Sequence, residues 1–220
     1  NTGEAYGLEF VYSGDFEAQA ELTYDQRVRL TMGLNRNTFE WNLDVGEEFV
    51  TPEVIITYSA EGMNKLSQNF HAHIRQQIIN PKFVSQKRPV VINTWEAMYF
   101  NIDEEILFRY AEKAKQLGID TVVIDDGWFG KRNDDSIGLG DWYVNQEKFK
   151  SGLGEFSEKI HALGLNLGIW IEPEMVNPKS ELFKEHPEWI LQCKDRPCSL
   201  SRRQLVLDLT NDEVIDYIVE

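Results

Sequence analysis

The 220 residues carry 37 acidic and 22 basic side chains, a formal net charge of -15, and 42% of the positions are apolar. This is the composition of a globular chain, and its excess of carboxylates argues against nucleic acid and anionic lipid as partners. A compact chain of this length buries roughly 70% of its unfolded surface, so size does not limit folding.

The acidity is uneven: residues 1–88 hold 12 acidic and 8 basic side chains, residues 89–220 hold 25 and 14. Adjacent basic pairs occur only at Lys87-Arg88, Lys131-Arg132 and Arg202-Arg203, too few to track a phosphate backbone. Cys193 and Cys198 read as reduced thiols, and the four histidines do not cluster with them, so neither a zinc motif nor any other cofactor is expected. His71 and His73, alternating beside Phe70 and Ile74, read as structural. No apolar run approaches the roughly 20 residues of a membrane-spanning helix, and no signal-peptide pattern opens the chain. The chain reads as cytoplasmic, although Asn1 is not an initiator and leaves room for an upstream leader.

In chain order, the first 60 residues alternate apolar and polar side chains between turn residues. Strands are predicted around residues 8–12, 16–22, 27–32 and 54–58, and their apolar faces need a second sheet to cover them, as in a sandwich. Leu66, Phe70, His73, Ile74, Gln77 and Ile78 then recur at helical spacing. The helix should stop near Asn80-Pro81, which sets a domain boundary between 1–80 and 81–220.

Beyond Pro89 the order is strand, loop, helix, repeated. Strands are predicted at 90–92, 121–124, 165–171 and 205–207, with helices over 103–117, around Phe156 to Leu163, around Leu182, and from Asp212 with Thr210 as its cap. The junctions Gln116-Leu117-Gly118-Ile119-Asp120 and Ala162-Leu163-Gly164-Leu165-Asn166 are near copies, as parallel βα units require. Four such units make either an open doubly wound sheet or half of an eight-stranded barrel. No glycine-rich phosphate fingerprint supports the first, and the second implies a chain that is part of something longer, with unpaired edges and poor solubility by itself.

Reactive groups in such folds collect just after the strands. Here the strand ends deliver Trp95 and Glu96, then Asp125, Asp126 and Trp128, then Trp170, Glu172 and Glu174, with Arg202 ahead of Asp208. Carboxylates accept pairs of hydroxyl hydrogen bonds and indoles cover the C–H face of a pyranose, so this rim suits a sugar. Two rivals use the same residues: a Mg²⁺-dependent enolising barrel with Asp125, Glu172 and Asp208 as ligands, and a sugar-binding module without chemistry. The tryptophans speak against the first, the βα repeats against the second.

The blocks Asn93-Thr94-Trp95-Glu96-Ala97, Val123-Ile124-Asp125-Asp126-Gly127-Trp128-Phe129, Gly140-Asp141-Trp142, Trp170-Ile171-Glu172-Pro173-Glu174-Met175-Val176 and Ser201-Arg202 with Gln204-Leu205-Val206-Leu207-Asp208 resemble glycoside hydrolase family 36, the bacterial α-galactosidases. The resemblance covers nearly the whole chain. It implies the tail of a β-supersandwich over 1–80, the first four βα units of a (β/α)8 barrel over 81–220, and a longer, homo-tetrameric parent. It further implies that Asp125 and Asp126 bind galactose hydroxyls, that Trp95 and Trp170 wall the pocket, and that Arg202 contacts the sugar of a galactose-containing oligosaccharide. The family's retaining mechanism needs an aspartate nucleophile in a Lys-Trp-Asp motif and an acid/base aspartate beyond it. These 220 residues hold no Lys-Trp-Asp, so both catalytic aspartates are expected beyond Glu220 and this chain alone is expected to be inactive.

Overall fold

The computed structural model describes residues 3–193, 195–198 and 200–220. Its internal contacts divide into two compact units that part between Lys87 and Arg88, so the Asn80-Pro81 step lies inside the first.

Four strands open the first unit: β1 (Ala5–Phe10), β2 (Phe16–Leu22), β3 (Val28–Leu34) and β4 (Val54–Ser59). β1 pairs antiparallel with β4 and β2 with β3, as the alternation of side chains predicts. Leu22, Val28 and Ile56 on these ribbons remain exposed. Helix α1 (Met63–His73) packs on β1 and β4 through the buried Leu66. Gly7 makes this seat: a β-carbon there would lie 2.5 Å from the Phe70 ring. The helix loosens into a π turn over Ile74–Ile78 and ends where Ile79 becomes extended. Asn80 then caps the short α2 (Pro81–Val84), accepting from the Lys82 amide with Pro81 at the first helical position.

The second unit contains β5 (Val91–Asn93), α3 (Trp95–Met98), α4 (Glu104–Gln116), β6 (Thr121–Ile124), α5 (Gly152–Ala162), β7 (Asn166–Ile169), β8 (Met175–Val176), α6 (Glu181–Glu185), β9 (Leu205–Val206) and α7 (Asp212–Val219). Strands β5, β6 and β7 lie side by side and parallel. Helix α4 starts at Asp103, whose carboxylate accepts from the Ile106 amide, and presents Leu107, Ala111 and Ala114 to a core with Val122, Ile124, Phe156, Ile160 and Leu165.

The two near-copied junctions fold identically. Gly118 (φ +79°) and Gly164 (φ +75°) each take the left-handed position after a helix. The Gly118 and Ile119 amides donate to Lys115 and Ala114, and the Gly164 and Leu165 amides to His161 and Ile160. This doubled Schellman ending drops the chain onto the next parallel strand each time.

Two expectations are corrected. Residues 205–207 are not a fourth parallel strand: β9 pairs antiparallel with β8. The Leu207 amide donates to Glu174, the Asp208 amide to Trp189, and Val206 accepts from Leu191, so the backbone of this stretch is consumed by an excursion of the loop after β7. The parallel sheet therefore has three strands, and a second small core of Val176, Leu182, Trp189, Leu205, Leu207 and Val214 holds the excursion together. Helix α7 is capped by Asn211, which accepts from the Glu213 amide, while Thr210 hydrogen-bonds back to Asp208.

Candidate functional site

The carboxyl ends of β5, β6 and β7 form one rim because sheet bonding continues one residue past each strand: the Thr94 amide donates to Val123 and the Trp170 amide to Ile124. Trp95, Asp125 and Trp170 thus leave neighbouring strands at the same level. Asn93 ties the first two together. Its amide nitrogen donates to Asp125 Oδ2 at 2.6 Å, and its oxygen accepts from the Trp95 amide at 2.7 Å. Asp125 Oδ1 accepts from the Asp126 amide, so this half-buried carboxylate is held in one orientation with an edge left open.

Asp126 turns the other way and is buried. Its two oxygens receive the Nε and Nη2 of Arg132 at 2.8 and 2.7 Å, a forked pair in which Arg132 is wholly inaccessible to solvent. The remaining Arg132 nitrogen, Nη1, donates to the Ile137 carbonyl and to Asn177 Oδ1. Lys148 locks the same turn from below, its ammonium donating to the carbonyls of Phe100, Gly127 and Arg132. Burial lowers the Lys148 pKa, and the Asp126 charge pulls it back up.

The aromatic wall is layered. Trp170, half-buried, meets Phe129 and Trp142, with ring centroids 6.4 Å away in each case. Trp128, which sequence reasoning placed among the rim candidates, is a buried brace whose indole N–H donates to the Trp170 carbonyl at 2.8 Å. Trp95 stands edge-on to Tyr99 and Phe100. Asp141 is a structural anion: it accepts from the Glu181 and Leu182 amides at the start of α6. Burial raises its pKa against those bonds.

Arg202 reaches the rim from the excursion. It occupies a two-residue turn closed by hydrogen bonds between Ser201 and Gln204, with Arg202 at φ +51° and Arg203 at φ +61°. Such turns favour Asn-Gly, and two left-handed arginines cost roughly 1–2 kcal/mol each. The exposed Arg202 guanidinium lies 3.8 Å from Glu172, which also accepts from Gln204. Burial raises the Glu172 pKa, with Arg202 opposing and with Asp126 and Arg132 close enough to contribute. Glu172 is held on the Arg202 side of the rim by Gln204 and Arg202.

Trp95, Asp125 and Trp170 thus stand at one end of the parallel sheet, whereas the Asp126 side chain is turned onto Arg132 and Arg202 is connected to the rim through Glu172. The Mg²⁺ alternative does not assemble: among the described residues no group of three carboxylates, histidines or thiols is placed to hold a metal, and Asp208 is turned onto Thr210. Sequence reasoning missed Arg132, Lys148 and Asn177. Their only signal was polar residues lying between blocks that had already been singled out.

Residues 48–220 match the family described as Melibiase, and residues 1–44 match the Glycosyl hydrolase family 36 N-terminal domain. The α-galactosidase AgaA of Geobacillus stearothermophilus is 48% identical over 218 residues, covering 99% of this chain and 30% of that protein. The bifunctional α-galactosidase/sucrose kinase AgaSK of Mediterraneibacter gnavus is 46% identical, with 99% and 23% covered. A solved structure of AgaA superposes with a TM-score of 0.95 at 47% identity over 99% of this chain and 30% of that one. Variants of that enzyme have been solved with 1-deoxygalactonojirimycin, stachyose and raffinose. The chain spans at most about a third of the length of these relatives.

Proposed function

The chain belongs to glycosyl hydrolase family 36, the melibiases, and on that premise we propose that it supplies the galactose-recognising part of a retaining α-galactosidase acting on terminal α-galactosides such as melibiose and raffinose. On this reading the first unit is the end of a β-supersandwich, the second the opening βα units of a (β/α)8 barrel, and the longer protein a cytoplasmic homo-tetramer. The observation that carries it is the open-edged Asp125 carboxylate beside the buried Asp126, with Trp95 and Trp170 leaving the adjacent strands.

Asp125 accepts hydroxyl hydrogen bonds from galactose through its accessible side, and Asp126 adds one only on a lone pair that its Arg132 fork leaves over. Trp95 and Trp170 cover the C–H face of the sugar, and Arg202 reaches it from the turn. The bond-breaking aspartates belong to the part of the longer protein beyond Glu220. The rim supplies recognition without a nucleophile, and Glu172, a further carboxylate after β7, is tied to Gln204 and Arg202.

The test is hydrolysis of an aryl α-galactoside by a longer chain carrying this segment. Asp125→Ala should lower kcat/KM by roughly a hundredfold or more, because a site built to bind a hydroxyl loses its partner. The 220-residue chain alone should show no turnover. Activity of the isolated chain, or an Asp125→Ala enzyme as good as its parent, would contradict the reading.

A further inference from the structure

Asn177 is fully buried immediately after β8, and its side chain is saturated with four partners. Its oxygen accepts from Arg132 Nη1 at 2.9 Å and from the Leu139 amide at 2.9 Å. Its nitrogen donates to the Arg203 carbonyl at 2.9 Å and to the Asp135 carbonyl at 3.3 Å. Two donors face one end of the amide and two carbonyls face the other, so only one orientation of the group satisfies all of them.

These bonds lead to both flanks of the rim. Through Arg132 the oxygen steadies the fork that grips Asp126. Through Arg203 the nitrogen holds the turn whose neighbouring residue is Arg202, and that turn keeps two non-glycine residues in the left-handed region. Strain of this kind persists only where surrounding contacts over-determine it. The Arg203–Asp135 ion pair, with both partners exposed, adds little. Beside the Ser201–Gln204 bonds that close the turn and the Gln204–Glu172 contact, the buried amide is what ties the turn to the Arg132 fork.

We propose that Asn177 is a positioning residue of the galactose site: it contacts no sugar itself, but fixes Asp126 on one side and the strained Arg202-Arg203 turn on the other in a single register. The proposal rests on the α-galactosidase reading above. Asn177→Asp separates its two halves, since the carboxylate keeps an acceptor for Arg132 and Leu139 but sets an oxygen against the Arg203 carbonyl.

In a longer chain carrying this segment, Asn177→Asp should raise KM for an aryl α-galactoside roughly tenfold, and more than it lowers kcat, because a displaced Arg202 loses sugar contact. Asn177→Ala should raise KM as well, and Arg203→Gly added to Asn177→Ala should bring it part of the way back, because no oxygen then opposes the residue 203 carbonyl and glycine adopts φ +61° without Asn177 to hold it. A general loss of packing would not be repaired that way. An unchanged KM in Asn177→Asp, or no recovery with Arg203→Gly, overturns the proposal. Should Asn177→Asp not fold, Asn177→Ser, too short to bridge Arg132 and the Arg203 carbonyl, takes its place, and a normal KM in that variant overturns the proposal equally. A parent that turns over no α-galactoside would sink the functional reading together with this one; an active parent with indifferent variants would sink this one alone.

Discussion

The two units each contain a forked arginine–carboxylate pair, and the pairs differ chiefly in their surroundings. On the β2–β3 ribbon, Arg36 gives Nε and Nη2 to the two oxygens of Glu17, with the arginine side chain 69% exposed. In the second unit Arg132 makes the same fork with Asp126 at 0% exposure, and its third nitrogen has two further acceptors. The first pair competes with water at every moment; the second has no water to fall back on. Hydrogen-bond geometry alone therefore does not decide what an ion pair does. A solvated fork can open at little cost, whereas a buried one can hold a ligand-binding carboxylate still.

The largest expected effect follows from removing one buried partner. Arg132→Leu leaves Asp126 without its partner, strands the Ile137 carbonyl and takes one of two donors from the Asn177 oxygen, so it should cost about 3–5 kcal/mol in urea unfolding. Adding Asp126→Leu removes the unpaired charge and should return part of that loss, while galactoside binding stays abolished. A single variant as stable as its parent would mean that the two pairs are alike after all.

Much of this arrangement was legible beforehand, and what escaped has identifiable causes. The parallel strands and helix α4 carry clear periods, a capping Asp103 and a duplicated glycine ending, so local and tertiary demands agree there. Trp95, Asp125 and Trp170 were found because they follow those strands directly, whereas Arg202, which precedes β9, was singled out by the family resemblance. Strands β8 and β9 are two residues each, too short to show a period, and their pairing depends on contacts about thirty residues apart in sequence. Lys131-Arg132 looked like a solvated basic pair. In the fold Lys131 is exposed and meets Glu181 at the surface, while the next residue is wholly interior. Adjacent residues at a turn can face opposite environments, and composition carries no record of which one goes in. The turn at Arg202-Arg203 was opaque for the same reason, since nothing in two arginines announces positive φ.

A middle-sized effect concerns Glu172, which stands between the two extremes. Its carboxyl is raised above the ordinary glutamate range, about 4.3, chiefly by burial, with Arg202 pulling it down. A raised folded pKa favours the protonated form, so this group's contribution to stability is fully present below the unfolded value and is lost as pH rises through the folded one. Glu172→Gln cannot ionise. It should therefore gain stability relative to the parent above the folded pKa, with the two unfolding curves converging at lower pH. A difference that does not change with pH would count against burial as the controlling influence.

The smallest effect is expected from Glu17→Gln on the β2–β3 ribbon. The Arg36 guanidinium has its pKa raised by the hydrogen bond and charge of Glu17, but both groups face solvent, where salt screens their attraction and holding two long side chains in one geometry costs entropy. The unfolding midpoint of the variant should match the parent within experimental scatter at low and at high salt. A loss on the scale of Arg132→Leu would break the comparison. A loss seen only in a longer chain carrying this segment would sharpen it instead, because a fork of unchanged geometry gains weight only when its water is displaced, and the face of β2 and β3 would then have to be covered in that longer protein.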